Sequence, residues 1–196
     1  MAVLKPKMNL NKALHELRYF FRQIILPYDL VVSTIKKYAL SREILDIGAG
    51  TGLIIKQLLN ADIIDFAYST EISQNYFKKT PRFEITSFEK IEKFFDCISL
   101  IDVLHHVKNK EIFLKNIIDK VAQNNTFVII KDISPENFFY RNWNTLHDVV
   151  FNHDYPEYIS ENALQELMLL NGFELIESFK HKVFWYDHFF QVYKKN

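Results

Sequence analysis

The glycines of this chain are concentrated at the end of one apolar stretch. Of only 4 glycines, three lie close together at Gly48, Gly50 and Gly52. Glycines at this spacing let the backbone turn sharply and let a ligand approach the main chain closely. Amide N–H groups at the start of the following helix then point toward such a ligand. A turn without a ligand is the alternative, but it is disfavoured because the rest of the chain uses glycine so sparingly.

The residues around these glycines discriminate between ligands. A dinucleotide fingerprint requires its third glycine where this chain has Leu53, so a nicotinamide-type loop is not predicted. Asp46, two residues before the first glycine, suits a ligand with an ammonium group. The segment 46–52 resembles motif I of class I S-adenosylmethionine-dependent methyltransferases, and the resemblance extends over residues 40–132. It implies S-adenosylmethionine as the cofactor, bound around its methionyl part by Asp46, Gly48, Ala49, Gly50 and Gly52.

An acidic residue after the predicted second strand extends this resemblance. Glu71 lies 19 residues beyond Gly52, and an acid at this strand end can accept hydrogen bonds from both ribose hydroxyls. The resemblance implies that Glu71 binds the ribose and that Ile72 packs on the adenine. The alternative is an exposed acid without a ligand. Asp65 ranks below Glu71 because it lies inside the predicted strand.

Two further segments correspond to the edge of the cofactor site. Residues 95–107 resemble the fourth-strand motif of the same family, which implies that Asp102 and His105 border the cofactor and the transferred methyl group. After the third strand, relatives often place an acid that accepts a hydrogen bond from the adenine amino group. This chain has Ser87 and Phe88 there, so Ser87, a backbone group or Glu89 is expected to take that role.

Candidates for the chemistry follow the fourth and fifth strands. Methyl transfer is an in-line displacement, for which a protein supplies positioning and in some cases a base. Sites in open parallel sheets lie at the carboxyl ends of the strands. His106, next to His105, is a candidate base near neutral pH, with a structural or cofactor-shaping role as the alternative. Asp132 is predicted to contact the substrate, to pair with Lys131 or to cap a helix.

One face of the next predicted helix carries an unusual set of side chains. Spacing places on it Tyr140, Asn144, His147 and Phe151. We predict that His147, with Asp132 or Asp148, touches the methyl acceptor and serves as its base. A partly exposed amphipathic helix is the alternative. His188, beside Asp187, is a further candidate with less support.

The order of apolar segments predicts the elements that position these residues. Strands are expected at 43–47, 62–68, 82–86, 97–103, 126–132, 173–180 and 183–193. Helices are expected at 9–22, 28–38, 53–60, 73–79, 110–122 and 161–171, with another opened by Ser134. This alternation predicts an α/β fold with a mostly parallel seven-stranded sheet, helices on both faces and a C-terminal antiparallel hairpin. We expect one domain, with an N-terminal helical cap (1–40), a cofactor-binding core (41–134) and substrate-side helices plus hairpin (135–196).

The charge composition of the chain argues against one class of substrate, nucleic acid. Lys+Arg and Asp+Glu are equal at 24 each, so the basic excess that usually accompanies nucleic-acid binding is absent. We therefore expect a small-molecule acceptor methylated on oxygen or nitrogen. An aminopropyl transferase on the same fold, and a non-catalytic binding protein with that fold, are the alternatives.

Cysteine and hydropathy patterns bear on metal binding and location. Cys97 is the only cysteine, so no intrachain disulfide is expected. The sequence also lacks a His/Cys cluster at ligand spacing, and no metal is predicted. No apolar run approaches the roughly 20 residues that cross a bilayer. A cytoplasmic location is the expectation.

Overall fold

A computed structural model of the chain describes residues 26–152, 155–184 and 186–196, apart from the side chains of residues 147, 148 and 150–152. The predicted helix at 9–22 lies outside these residues. The helices are α1 (Tyr28–Tyr38), α2 (Leu53–Asn60), α3 (Lys110–Val121), α4 (Phe138–Asn152) and α5 (Glu161–Leu170). The strands are β1 (Glu43–Ile47), β2 (Phe66–Thr70), β3 (Lys78–Lys79), β4 (Phe83–Thr86), β5 (Phe95–Ile101), β6 (Ala122–Ile133), β7 (Phe173–Val183) and β8 (Tyr186–Lys195).

The described strands form one sheet in the order β3-β4-β2-β1-β5-β6-β8-β7. Strands β4, β2, β1, β5 and β6 are parallel, whereas β3, β7 and β8 pair antiparallel with their neighbours. From β1 the chain first builds the sheet outward through β2 and β4, and then returns to build β5 and β6 on the other side. This reversal opens a crevice at the carboxyl end of β1, where ligands bind in such folds.

Helices cover both faces of the sheet because its central strands are apolar on both sides. On β1, Ile44 belongs to the core cluster that includes residues of α1 and α2, while its neighbour Leu45 belongs to the cluster with α3 and α5. This is the two-residue alternation of a strand. Helix α1 turns Val31 and Ile35 inward, one turn apart. The predicted α/β fold with a C-terminal antiparallel hairpin is confirmed.

Several predicted boundaries were wrong for local reasons. The helix expected at 73–79 is a short 3-10 turn followed by β3, the additional edge strand that brings the sheet to eight. The second strand starts at Phe66 and not at Asp62, because Asp62 has a left-handed backbone (φ 53°). The hairpin reverses after Val183, where Phe184 has φ 55°, and not at 181–182.

The start of α4 also differs from the prediction. Ser134 was expected to cap this helix, but its amide donates to the Asp187 carbonyl at 2.8 Å and so continues the β6–β8 ladder. The cap is Asn137, whose Oδ1 accepts from the amides of Phe139 and Tyr140. Among the described residues, no helix is both long and apolar enough to span a bilayer.

Candidate active site

The loop between β1 and α2 needs glycine for two reasons. Gly48, Gly50 and Gly52 all have left-handed backbones, with φ of 74°, 53° and 70°. A Cβ atom on Gly48 would lie 2.7 Å from Cγ2 of Val103, so a side chain there would collide with the segment after β5. The sequence therefore brings the end of β5 unusually close to the loop.

Hydrogen bonds hold this loop to the neighbouring strands. Gly48 and Ala49 donate their amides to the carbonyl of Thr70 at 2.9 and 3.1 Å. The amide of Gly52 donates to Ala49 within the loop at 2.9 Å. These three amides are therefore hydrogen-bonded within the protein. The glycines contribute to ligand binding by letting the ligand come close to the main chain. Asp46 is buried at the end of β1 and accepts a 2.6 Å hydrogen bond from Ser99 Oγ.

Glu71 turns toward the glycine loop. Its Oε2 accepts from the amide of Gly50 and its Oε1 from the amide of Ile72, both at 2.8 Å. Each carboxylate oxygen can accept more than one hydrogen bond, so ribose hydroxyls can be added to this arrangement. The side chain of Ile72 is 98% exposed, an apolar surface beside the carboxylate. Both features suit a nucleoside.

The residues expected near adenine form a compact turn after β4. Ser87 precedes a 3-10 turn at Phe88–Lys90. The pKa of Glu89 is lowered first by its own backbone amide and then by a hydrogen bond from Ser87. Lys120 caps the turn, with Nζ 4.9 Å from the Phe88 ring centroid. The Ser87 hydroxyl thus pairs with Glu89, and the adenine contacts of Ser87 and Phe88 stay predictions.

A buried ion pair links the ends of β5 and β6. Lys131 is completely buried, and its Nζ lies 2.5 Å from Oδ1 of Asp102. The Asp102 amide also donates to the Lys131 carbonyl at 2.8 Å, and φ of Asp102 is 57°. Burial raises the pKa of Asp102, but Lys131, His188 and His105 together outweigh it and lower that pKa to about 2.

A second buried pair lies beside the first. Nδ1 of His105 is 2.5 Å from Oδ1 of Asp132, and both side chains are buried. Asp132 also accepts from the backbone amides of His105 at 3.2 Å and Ile133 at 2.7 Å. With so many donors, this carboxylate is placed to orient the imidazole of His105. The ring of Tyr158 stacks 6.2 Å from that of His105.

The sequence analysis did not predict which of these residues pair with each other. It offered Asp132 as a partner for His147, for Lys131 or for a helix, whereas Lys131 pairs with Asp102 and Asp132 with His105. His106 is exposed, its ring centroid 4.0 Å from that of His105. His147 lies on α4, but its side chain is outside the described part of the structure. The polar residues after β5 and β6 were the available signal, because parallel neighbours end at the same edge.

The same side chains could in principle ligate a metal. Potential ligand atoms of Asp102, His105 and Asp132 lie within 4.8 Å of one another. The prediction of no metal was based on the spacing of His and Cys along the sequence. This cluster is formed by residues from the ends of two strands, so that spacing could not reveal it. Lys131 bonds to Asp102 and His105 to Asp132, so these carboxylates serve the protein's own hydrogen-bonding network. An ammonium ion at this distance competes with a metal cation.

The crevice, the glycine loop and the acid on the next strand define a class I S-adenosylmethionine-dependent methyltransferase fold. The chain belongs to the methyltransferase-domain family, whose model matches residues 14–178. S-adenosylmethionine is the cofactor of this class, as the resemblance implied. No curated protein sequence matches the chain.

Solved structures share this fold at low sequence identity. Magnesium protoporphyrin IX methyltransferase from Synechocystis, with S-adenosylhomocysteine bound, has a TM-score of 0.64 and 15% identity over 86% of this chain and 82% of that one. A putative methyltransferase from Bacillus halodurans has a TM-score of 0.65 and 13% identity over 84% and 98%. The 4+2 cyclase SpnF has a TM-score of 0.66 and 11% identity over 85% and 81%. Such identities establish the fold alone.

Proposed function

We propose that this chain is an enzyme that transfers the methyl group of S-adenosylmethionine to an oxygen or nitrogen of a small molecule. The observation that carries the proposal is the buried His105–Asp132 pair at the ligand edge of the sheet. It lies beside the glycine loop, because Val103 of the same segment touches Gly48. An imidazole oriented at this position can act as the base of a methyl transfer.

The cofactor is held by residues of the core. Glu71 accepts the ribose hydroxyls, and the glycines admit the methionyl chain beside Asp46, whose carboxylate suits its ammonium group. Asp102 lies at the end of β5, where the resemblance placed the border of the transferred methyl. When bound, the cofactor supplies an electrophilic methyl group on a sulfonium. These roles are supported by the loop geometry and the Gly50–Glu71 hydrogen bond.

His105 is the proposed base. With Nδ1 donating to Asp132, Nε2 is the nitrogen that takes a proton from the acceptor hydroxyl or amine. Asp132 is a positioning residue, since it fixes the tautomer and orientation of the ring. His106 and His147 are competing candidates from the sequence, and activity measurements on all three distinguish them. The charge network of Asp102 and Lys131 shapes the field around the transfer.

The expected division of the chain into a cofactor-binding part and a substrate-side part belongs to the same proposal. Residues 41–134 form the cofactor side and residues 135–196 the acceptor side. Helix α4 and the β7–β8 hairpin supply the latter, because β8 runs antiparallel to β6 and starts at the ligand edge. The proposed helical cap at 1–40 lies mostly outside the described residues.

Calorimetry with S-adenosylmethionine and S-adenosylhomocysteine tests the cofactor half of the proposal. We expect both to bind, and failure of both at millimolar concentration would end the proposal. Incubation of the protein with metabolite extracts and methyl-labelled cofactor then tests transfer. Label in a small molecule supports the enzyme. Label confined to macromolecules, or no transfer despite tight cofactor binding, contradicts it.

A further inference from the structure

A cleft opens beside the proposed transfer site. It has a volume of about 400 Å³ and lies between the segment leading into α4 and the β7–β8 hairpin. Its walls include Ser134, Asn137, Lys180, Lys182, Asp187 and His188. Small-molecule sites have volumes of about 300–1,000 Å³, so one small ligand can be accommodated.

The cleft lies next to the strand ends that carry the Asp102–Lys131 and His105–Asp132 pairs. Ser134 lies two residues beyond Asp132, and His188 on β8 pairs in register with Ile133 of β6. His188 also interacts electrostatically with Asp102, which it helps keep ionised. A molecule in the cleft therefore reaches the same strand ends as the proposed base.

Two buried polar side chains, one of them in the wall of the cleft, make no hydrogen bond to the described residues. Ser134 is 2% exposed, and its Oγ makes no hydrogen bond to any described residue. Asn144 on α4 is 0% exposed, and neither atom of its amide is hydrogen-bonded to the described part of the chain. Buried polar groups are nearly always satisfied in folded proteins, so such exceptions call for a ligand or an ordered water.

A hydrogen bond joins helix α4 to the wall of the cleft. Tyr140 lies one turn before Asn144, hence on the same face of α4. Its phenol oxygen accepts a 2.7 Å hydrogen bond from Nζ of Lys182, a residue of the cleft wall. Ser134 thus lies in the sheet-side wall of the cleft, and Lys182 of the opposite wall is held by a residue of α4.

Charge indicates what the space accepts. Lys180 is neutralised by Glu136 at 2.5 Å and by Glu161 at 3.5 Å. Lys182 instead donates to the phenol oxygen of Tyr140, although Asp187 pairs with it in the strand register. Because its hydrogen-bond partner is a phenol and not a carboxylate, this ammonium group can bind an anionic ligand. A carboxylate would gain a charge-assisted hydrogen bond from it.

We propose that this cleft is the acceptor site and that the acceptor is a small molecule bearing a carboxylate, bound by Lys182 and Ser134. The assignment rests on the proposed function, since it names the substrate class of that transfer site. The carboxylate anchors the end of the acceptor remote from His105, and the nucleophilic oxygen or nitrogen points back toward the transferred methyl.

Three probes with one ring and different head groups test this assignment. Para-hydroxybenzoate, para-hydroxybenzamide and para-hydroxybenzylamine are titrated into the protein saturated with S-adenosylhomocysteine, and binding is followed by saturation-transfer NMR. We expect the acid to bind about tenfold more tightly than the neutral amide. Equal affinities, preference for the amine, or no binding of the acid at millimolar concentration would overturn the carboxylate class.

Variants locate the binding and separate the two proposals. Lys182→Gln should remove the preference for the acid, and Ser134→Ala should weaken its binding by about threefold to tenfold. Lys115→Gln, which alters an exposed lysine on α3 paired with Asp119, should leave it unchanged. Retained preference in Lys182→Gln refutes the site. Binding of S-adenosylhomocysteine, measured on each variant, reports folding; its absence in the wild type would instead refute the methyltransferase proposal.

Discussion

Nζ of Lys131 and Oδ1 of Asp102 are 2.5 Å apart, and the lysine is wholly buried while the aspartate side chain is 23% exposed. This pair ties the parallel strands β5 and β6 together where they end. Removal of one partner from a buried ion pair is costly, because the remaining charge stays out of water. The pair thus contributes both to stability and to the charge around the proposed transfer site.

Removal of this carboxylate tests its contribution to stability. We expect Asp102→Asn to lower the free energy of unfolding at pH 7 by about 3 kcal/mol, as for other broken buried pairs. The folded-state pKa of about 2 is below the ordinary value, so the ionised carboxyl stabilises the fold above about pH 4. That stabilisation is lost as the pH falls toward 2.

Urea unfolding across this pH range is the measurement. The difference between wild type and Asp102→Asn should shrink steadily below pH 4. Asp96→Asn is a matched control on the same strand, since Asp96 is exposed and accepts from Gln123. A difference independent of pH would contradict the assigned ion pair.

Glu71 offers a test of cofactor binding. The carboxylate of Glu71 accepts hydrogen bonds from the amides of Gly50 and Ile72. In Glu71→Gln the NH₂ group, itself a donor, faces one of these two amide donors, and that hydrogen bond is lost. The expected loss is about 10- to 100-fold in affinity for S-adenosylhomocysteine, measured by calorimetry. Asp65→Asn, which changes an exposed acid paired with Arg42, should bind normally. Unchanged affinity in Glu71→Gln would refute the ribose assignment.

Substitution of two glycines with similar φ angles distinguishes the effect of backbone strain on stability from the effect of a steric clash. Gly48→Ala combines φ of 74° with a Cβ only 2.7 Å from Val103, so we expect about 3 kcal/mol of destabilisation. Gly172→Ala has φ of 82° with nothing within 4 Å, and about 1 kcal/mol is expected from backbone strain. Chemical denaturation measures both. Equal losses would show that the contact between the loop and β5 is unimportant for folding.

The identity of the base is settled by parallel histidine variants. Once an acceptor is known, His105→Gln should reduce kcat by a factor of about 100 to 10,000 while S-adenosylhomocysteine affinity is kept. Asp132→Asn should also lower kcat and displace the pH profile, which a purely structural role would not do. The base assignment fails if His105→Gln stays active while His106→Gln or His147→Gln does not. A fall in cofactor affinity with His105→Gln would make it a cofactor ligand.

The sequence allowed the central features of the fold to be predicted because they are local. The glycine loop and the apolar run of β6 each carry their signal within a few residues. Edge elements were harder: β3 exists because Lys78 and Lys79 pair with β4, which no short-range pattern reveals. Site residues after β5 and β6 were recognised by position in the chain.

Their pairing could not be predicted from the sequence. The partner of His105 lies 27 residues away on another strand, and the distance between them depends on sheet register. Ser134 was predicted to cap a helix because the residues that follow it are typical of a helix N-terminus. Its amide instead donates to Asp187 in the β6–β8 ladder. Tertiary hydrogen bonds overrode local preference in both cases.

Strand β8 enters the sheet from the ligand edge, because it is antiparallel to β6 and follows a turn after Val183. The residues proposed to bind the two ligands therefore lie in separate stretches of the chain, those for the nucleoside before residue 106 and those for the acceptor largely after residue 133. Exchange of the hairpin tip between homologues should then redirect substrate choice in a single step. Selection can diversify one half of the pocket while the other half stays fixed.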